Sequence, residues 1–229
     1  ISFHSIATAA ETRENWVVLE FSTNKQYRFT FPGREINEQA IHDLLNDLQS
    51  FAPSLIVASG SLPPQLPESF YGLIVKKAKA LNAKCVIDTS GDALKALKGE
   101  NAFLIKPNVG ELCKILGVEK LEKNEIDAAA LQLIEDSYAE IVVVSMGAEG
   151  AWLVSETEKY FVAAPQVKKV STVGAGDSMV AGIVYMLQKE KSLKEAIRFG
   201  VACGSAATIN AGTELFHAED VNKIYDEIR

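Results

Sequence analysis

The residues best suited to chemistry lie in Ser171-Thr-Val-Gly-Ala-Gly-Asp-Ser178, which runs straight into an apolar stripe at helical spacing: Val180, Ile183, Val184 and Leu187. The preceding Tyr160–Pro165 reads as extended chain. Gly174 and Gly176 therefore stand where extended chain becomes helix, with Asp177 in the first turn. Glycine lets backbone approach a ligand closely, and a helix start offers unpaired N–H groups at the positive end of its dipole. That combination suits a phosphoryl group in transfer. The Gly174–Asp177 loop would carry it, the N–H groups of Ala175, Gly176 and Asp177 would form an anion hole, and Asp177 would take the proton of the attacking hydroxyl. The competing reading makes Asp177 a helix cap and nothing more.

Phosphoryl transfer also needs positive charge and, in most cases, Mg²⁺. Lys106 ends the apolar run Ala102-Phe-Leu-Ile just before the stiff Pro107. There it can reach a phosphate as a point charge, or snorkel from the surface. Asn108-Val-Gly-Glu111 puts an amide and a carboxylate on one side of a helix's first turn. The pair could supply oxygen to a hydrated Mg²⁺, although the local pattern alone favours a cap followed by an acidic first turn. Arg13 and Arg28 fall on strand-like chain, either solvated or holding a second phosphate. The chain has no GxxxxGK[ST], no protein-kinase signature set and no GxGxxG, which removes support for the common nucleotide-hydrolase, protein-kinase and dinucleotide readings.

These groups need a scaffold. Ile1–Thr8 alternates like a strand. Trp16–Ser22 and Gln26–Phe31 read as a hairpin stopped by Pro32-Gly33. From Asn37, a plausible cap, the period becomes helical at Ile41, Leu44, Leu45 and Leu48. Short apolar strands then alternate with amphipathic helices: Ser54–Ala58, Cys85–Asp88, Ala102–Lys106 and Ile141–Ser145. This predicts an α/β fold with a parallel sheet covered on both faces, whose strand ends gather ligands. Those ends carry Gly60-Ser61, Asp88-Thr89-Ser90, Lys106-Pro-Asn108 and Ser145-Met-Gly147. Two further strands, Ala151–Ser155 and Tyr160–Ala164, precede the glycine-rich stretch. Ser192-Leu-Lys-Glu195 is a capping-box pattern, and a last helix carries Val221, Ile224, Tyr225 and Ile228. Residues 1–32 read as a β lid segment and residues 33–229 as one α/β nucleotide-binding domain.

A chain of 229 residues with a net charge of −7 does not suit general nucleic-acid binding, which wants a basic face. The longest apolar helical run, Met179–Leu187, is far short of a membrane span. Cys85, Cys113 and Cys203 lie far apart in apolar patterns without CxxC spacing, so buried reduced thiols and a cytoplasmic setting are expected. The three histidines show no metal-binding spacing.

Together these residues resemble the PfkB (ribokinase-like) family of carbohydrate kinases. Thr172-Val-Gly-Ala-Gly-Asp177-Ser-Met-Val-Ala-Gly182 is similar to the family's C-terminal signature. Lys106-Pro-Asn-Val-Gly-Glu111 is similar to its Asn-x-x-Glu element, and Val144-Ser-Met-Gly147-Ala-Glu-Gly150-Ala to its nucleotide-binding strand end. The resemblance implies a three-layer α/β/α sandwich with a small β lid, and ATP-dependent phosphorylation of fructose 6-phosphate or a related sugar phosphate. The strings Thr12-Arg-Glu-Asn15, Gln26-Tyr-Arg-Phe29, Ser59-Gly-Ser-Leu-Pro-Pro64 and Gly204-Ser-Ala-Ala-Thr-Ile-Asn210 point to its phosphofructokinases. By the same resemblance, Ser61, Arg13 and Arg28 contact the sugar phosphate, the arginines across a homodimer made through the lid. Lys106, Asn108, Ser145, Gly147, Gly150, Val201 and Ser205 serve the nucleotide, and Glu111 serves Mg²⁺ through water. Ser171, Val173, Ala207, Asn210 and Gly212 surround a monovalent cation, taken as K⁺. Nothing in residues 1–50 matches the family's early Asp and Gly-Gly-x-Asn sugar motif. The expectation is a chain lacking about the family's first quarter, and a non-catalytic nucleotide-binding fragment stands as the rival reading.

Overall fold

The structure, a computed structural model, describes residues 4–8, 11–23 and 25–228. Strands β1 (Asn15–Glu20) and β2 (Lys25–Thr30) pair antiparallel as a sheet of their own, Trp16 opposite Phe29 and Val18 opposite Tyr27. Because side chains alternate along a strand, Trp16, Val18, Tyr27 and Phe29 share one face. They are all exposed, and Trp16 meets Phe31, also exposed, edge-on at 5.5 Å. The opposite face carries Gln26 and Arg28 toward the body of the molecule.

Among the described residues the main sheet has six strands in chain order: β3 (Leu55–Ser59), β4 (Lys84–Asp88), β5 (Ala102–Ile105), β6 (Ala139–Ser145), β7 (Ala151–Ser155) and β8 (Lys159–Val162). The first four are parallel, and the last two turn back antiparallel as the expected hairpin. Among the described residues eight α-helices accompany the sheets: α1 (Glu38–Phe51), α2 (Phe70–Ala80), α3 (Gly91–Lys95), α4 (Val109–Leu116), α5 (Ile126–Glu135), α6 (Ala175–Gln188), α7 (Leu193–Thr208) and α8 (Ala218–Glu227).

Alternation along the strands builds the layers. Cys85, Ile87, Ile105, Val142 and Val144 point into one core with Val75 of α2, Leu112 of α4 and Leu133 of α5. Val86, Leu104, Ile141 and Val143 point the other way, against Ile183 of α6 and Ile197 and Val201 of α7. The result is a parallel-rich sheet between two helical layers. Small residues bring α6 and α7 together: a Cβ on Gly182 would lie 2.7 Å from Cys203 Sγ. All three cysteines are free and buried, and burial pushes the Cys85 and Cys203 thiols up to about 12. Among the described residues no helix is long and apolar enough to cross a membrane.

The capping signals read at Asn37 and Ser192 held. The Asn37 side chain accepts from the Ala40 N–H at 2.8 Å, and Ser192 and Glu195 close a reciprocal capping box. The opening segment differs from expectation. Ile1–Phe3 lie outside the described residues, and His4–Thr8 form no strand. His4 instead pairs with Asp47 at 2.8 Å and meets the Phe51 ring, so its neighbour is α1 rather than a sheet. The last strand also ends early, at Val162 rather than Ala164.

Gly150 joins β6 to β7 after a 3-10 turn, Gly147–Glu149. Its φ is +114°, and a Cβ there would sit 2.0 Å from the Val162 carbonyl oxygen. Gly150→Ala is therefore expected to cost about 3 kcal/mol, combining backbone strain with a clash against main chain. The measurement is a fall in the urea midpoint at unchanged slope.

Candidate active site

The parallel strands end on one rim, and the chemistry-bearing side chains meet there. Lys106 follows β5 and is 7% exposed, and its ammonium lies 3.2 Å from Asp88 Oδ1 at the end of β4. The same Nζ would stand 3.3 Å from a Cβ built on Gly176. A charge carried by the sheet layer is thus held against the start of α6, a helix in the layer above it. Gly176 has no side chain to push it away.

Burial raises the Asp88 carboxyl above its ordinary value; Lys106 opposes that rise, while the charges of Asp177 and Glu111 add to it. The Asp88 carboxyl therefore feels two other carboxylates as well as the Lys106 ammonium. Asp88 had appeared in the sequence only as one member of a polar rim. What could have singled it out is a carboxylate ending an otherwise apolar buried strand, where a charge needs a partner.

The α6 start settles what Asp177 is not. Gly174, at φ +73°, occupies the cap position, and the helix opens at Ala175 with no side-chain cap. Asp177 sits inside the first turn, and its side chain makes no hydrogen bond among the described residues. Its exposed carboxylate lines a groove of about 390 Å³ with Val57, Ser59, Val180, Ala181, Val184, Tyr185 and Gln188. The groove is polar at the Asp177 and Ser59 end and mostly apolar beyond it.

Asn108 and Glu111 form the cap that the local pattern favoured. Asn108 Oδ1 accepts from the Glu111 N–H at 2.9 Å, and Glu111 Oε2 accepts from the Asn108 N–H at 2.8 Å. One Glu111 oxygen stays uncommitted. Among the described residues no three His, Cys, Asp or Glu side chains form a direct metal cage. The surplus of carboxylate oxygens over ammonium groups is the donor chemistry of a hard divalent cation, and the open oxygen of Glu111 fits contact with Mg²⁺ through its retained water.

Ser145 lies beside this turn: its N–H donates to the Pro107 carbonyl at 3.0 Å, and it bridges to Asn108 as in a parallel sheet. Gly147 is exposed in the turn that follows. Val201 and Ser205, one helical turn apart on α7, are both buried, Val201 within the second core.

The segments around Ser171 and Gly212 are tied together. Ser171 Oγ donates to the Gly212 carbonyl at 2.8 Å and accepts from the Val173 N–H at 3.2 Å. The Val170 and Ser171 N–H groups both donate to the Thr208 carbonyl, next to the buried Ala207. Asn210 instead gives its amide to the Leu215 carbonyl at 2.6 Å. The β1–β2 hairpin reaches both regions. Arg13 Nη1 donates to Ser61 Oγ at 2.5 Å, and Arg28 Nη2 to Thr172 Oγ1 at 3.1 Å.

The family model for pfkB family carbohydrate kinases matches residues 1–219. The chain belongs to the PfkB family of carbohydrate kinases. It is 39% identical over 216 residues to ATP-dependent 6-phosphofructokinase isozyme 2 of Escherichia coli K12, covering 93% of this chain and 70% of that one. It is 34% identical over 220 residues to 1-phosphofructokinase of Bacillus subtilis 168, covering 96% and 71%. Among solved structures, phosphofructokinase-2 from Escherichia coli in complex with potassium superposes with a TM-score of 0.90 at 38% identity, covering 96% of this chain and 72% of that one. The PfkB relatives are thus longer than this chain, which spans about seven tenths of each. As a PfkB chain it is a sugar-phosphate kinase by kinship, with the α/β fold of that family.

Proposed function

We propose that this PfkB protein transfers the γ-phosphoryl group of ATP to the C1 hydroxyl of fructose 6-phosphate, giving fructose 1,6-bisphosphate and ADP. The observation that carries the reading is the meeting of three groups at the start of α6: the Lys106 ammonium against Gly176, the open N–H groups after Gly174, and the uncapped Asp177 carboxylate one residue on.

In this mechanism the C1 oxygen attacks the γ-phosphorus while its proton passes to Asp177. The new O–P bond forms as the bond to the β,γ-bridging oxygen breaks, and that oxygen leaves with ADP. Charge on the moving phosphoryl oxygens is met by the Ala175, Gly176 and Asp177 N–H groups and by Lys106, in a geometry already set before reaction. Mg²⁺, held through water at Glu111 beside Asn108, would neutralise charge between the phosphates. Ser145, Gly147 and Gly150 border the nucleotide, with Val201 and Ser205 behind it. Ser61, Arg13 and Arg28 hold the acceptor's own phosphate, the arginines by bidentate pairing.

The potassium in the Escherichia coli relative supports a monovalent cation here. The Ser171 hydroxyl and the Thr208 and Gly212 carbonyls bring oxygen donors from two segments together, with Ala207 and Asn210 adjacent. Such a cation would stiffen the loop before Gly174. Residues 1–32 act as a lid, and its outward face of Trp16, Val18, Tyr27, Phe29 and Phe31 takes a second copy of the chain in a homodimer. A cytoplasmic site of action follows from free buried thiols and from the substrates.

The Bacillus subtilis relative favours one competing acceptor, fructose 1-phosphate. Purified protein, made with whatever residues its own gene places before Ile1, is offered fructose 6-phosphate, fructose 1-phosphate and tagatose 6-phosphate, with ADP release followed by a coupled assay. The highest kcat/KM is expected with fructose 6-phosphate. A preference for either other sugar reassigns the acceptor, and no turnover with any of them sinks the kinase reading.

A further inference from the structure

Ser61 stands on the turn after β3, and that turn is held in an unusual way. The Gly60 N–H donates to the Asp88 carbonyl at 3.0 Å. The Gly60 carbonyl accepts two side-chain hydroxyls at once, Thr89 Oγ1 at 2.8 Å and Tyr71 Oη at 2.8 Å. Tyr71 and Thr89 are 5% and 6% exposed, so neither donor has water as an alternative. Burial also raises the Tyr71 phenol, which keeps its proton for donation.

The atoms concerned decide what this does. The Gly60 carbonyl and the Ser61 N–H belong to one planar peptide unit. Fixing the oxygen fixes the whole plane, and with it the direction in which Ser61 leaves the turn. Gly60 itself adopts φ +116°, a region open to glycine, so its own backbone preference does not hold the plane. The donors do. One comes from the end of β4 and the other from α2, so the plane is referenced to the sheet and to one helical layer together. A packing role alone would not call for two hydroxyls at one acceptor; Phe and Val fill the same space.

We propose that Tyr71 and Thr89 are positioning residues for the acceptor-phosphate subsite, together locking the Gly60–Ser61 peptide so that Ser61 meets the Arg13 side of the sugar phosphate. The inference rests on the acceptor assignment above. It extends that assignment to two residues that do not themselves touch substrate. The clamp also shares the β4 end with the Asp88–Lys106 pair, so acceptor and donor sides of the site are aligned from one strand terminus.

The test compares Thr89→Val, Tyr71→Phe and Thr89→Ser with the parent protein. Steady-state kinetics are run against sugar phosphate and against ATP, alongside thermal midpoints and amide exchange of residues 59–62. Loss of one hydrogen bond of this kind corresponds to about a tenfold weaker interaction. Thr89→Val is expected to raise the sugar-phosphate KM about tenfold on that basis, with the ATP KM and kcat within about twofold. Thr89→Ser should restore the parent KM, and Tyr71→Phe should act in the same direction as Thr89→Val. Amide exchange at residues 59–62 should quicken in both hydroxyl-deleted variants while the strands β4 to β6 keep their protection. An unchanged sugar-phosphate KM, an equal rise in the ATP KM, or failure of Thr89→Ser to rescue overturns the proposal. If the parent protein phosphorylates no sugar phosphate, the functional reading fails by itself. The exchange comparison then still decides the clamp, since unchanged exchange at residues 59–62 overturns it.

Discussion

Replacing Asp177 by Asn is expected to lower kcat by about 10³-fold, the scale of a positioned general base. ATP affinity measured by calorimetry should stay within about twofold. The structure makes this substitution a clean test, because Asp177 has no capping bond to lose and its side chain is exposed at the groove. Asn keeps the shape but gives up the negative charge and, with it, the ability to take a proton. Because the Gly174 cap and the N–H groups after it are untouched, the nucleotide phosphates keep their seat. Turnover near that of the parent would remove Asp177 as the base, and a matching loss of ATP affinity would make it a binding residue instead.

Replacing Lys106 by Met should damage both stability and turnover. Lys106 and Asp88 are 8% and 15% exposed as side chains, and Met leaves the Asp88 carboxylate buried without its partner. Breaking a buried pair in this way costs about 3 kcal/mol or more, read from urea unfolding at neutral pH. The pH dependence identifies the cause. Burial already holds the Asp88 carboxyl above its ordinary value of 3.8 in the folded protein, and losing Lys106 moves it higher. A carboxyl raised on folding binds its proton more tightly when folded. Its favourable contribution is therefore complete below the ordinary value and is lost as pH rises through the folded one. The Lys106→Met penalty should be largest near neutrality and shrink as pH falls toward 4 and below. Asp88→Asn in the same background should recover most of the lost stability but none of the lost turnover. A penalty that does not vary with pH would mean lost packing of the lysine stem rather than a stranded charge.

How much of this was legible in the residues depends on the range of each interaction. Short-range signals were readable: Asn37, Ser192 and the Asn108/Glu111 box all bond within three residues of themselves. The strand–helix alternation gave the layers, because period 2 and period 3.6 are local properties. Lys106 could be singled out because a charge closing an apolar strand is anomalous on its own. Asp88 carries the same local anomaly, but that the two strand ends lie side by side could not be read. Asp88 belongs to the preceding parallel strand, and pairing across a sheet is set by the crossover helix, which leaves no mark on either strand. The clamp on Gly60 was hidden for the same reason, since Tyr71 looks like any core aromatic on a helix stripe. His4–Thr8 misled in the opposite direction: alternation suggested a strand, but a strand exists only with a partner, and His4 found α1. The short helix Gly91–Lys95 is too brief to show a period at all.

The seam between α6 and α7 carries its own reporter. Cys203 is buried against Gly182, and burial pushes its thiol up to about 12. A shielded, protonated thiol reacts with an alkylating reagent only when its surroundings open. Asp177 rides on the first turn of α6, so the rate at which Cys203 is labelled times the loosening of the helix that carries the carboxylate.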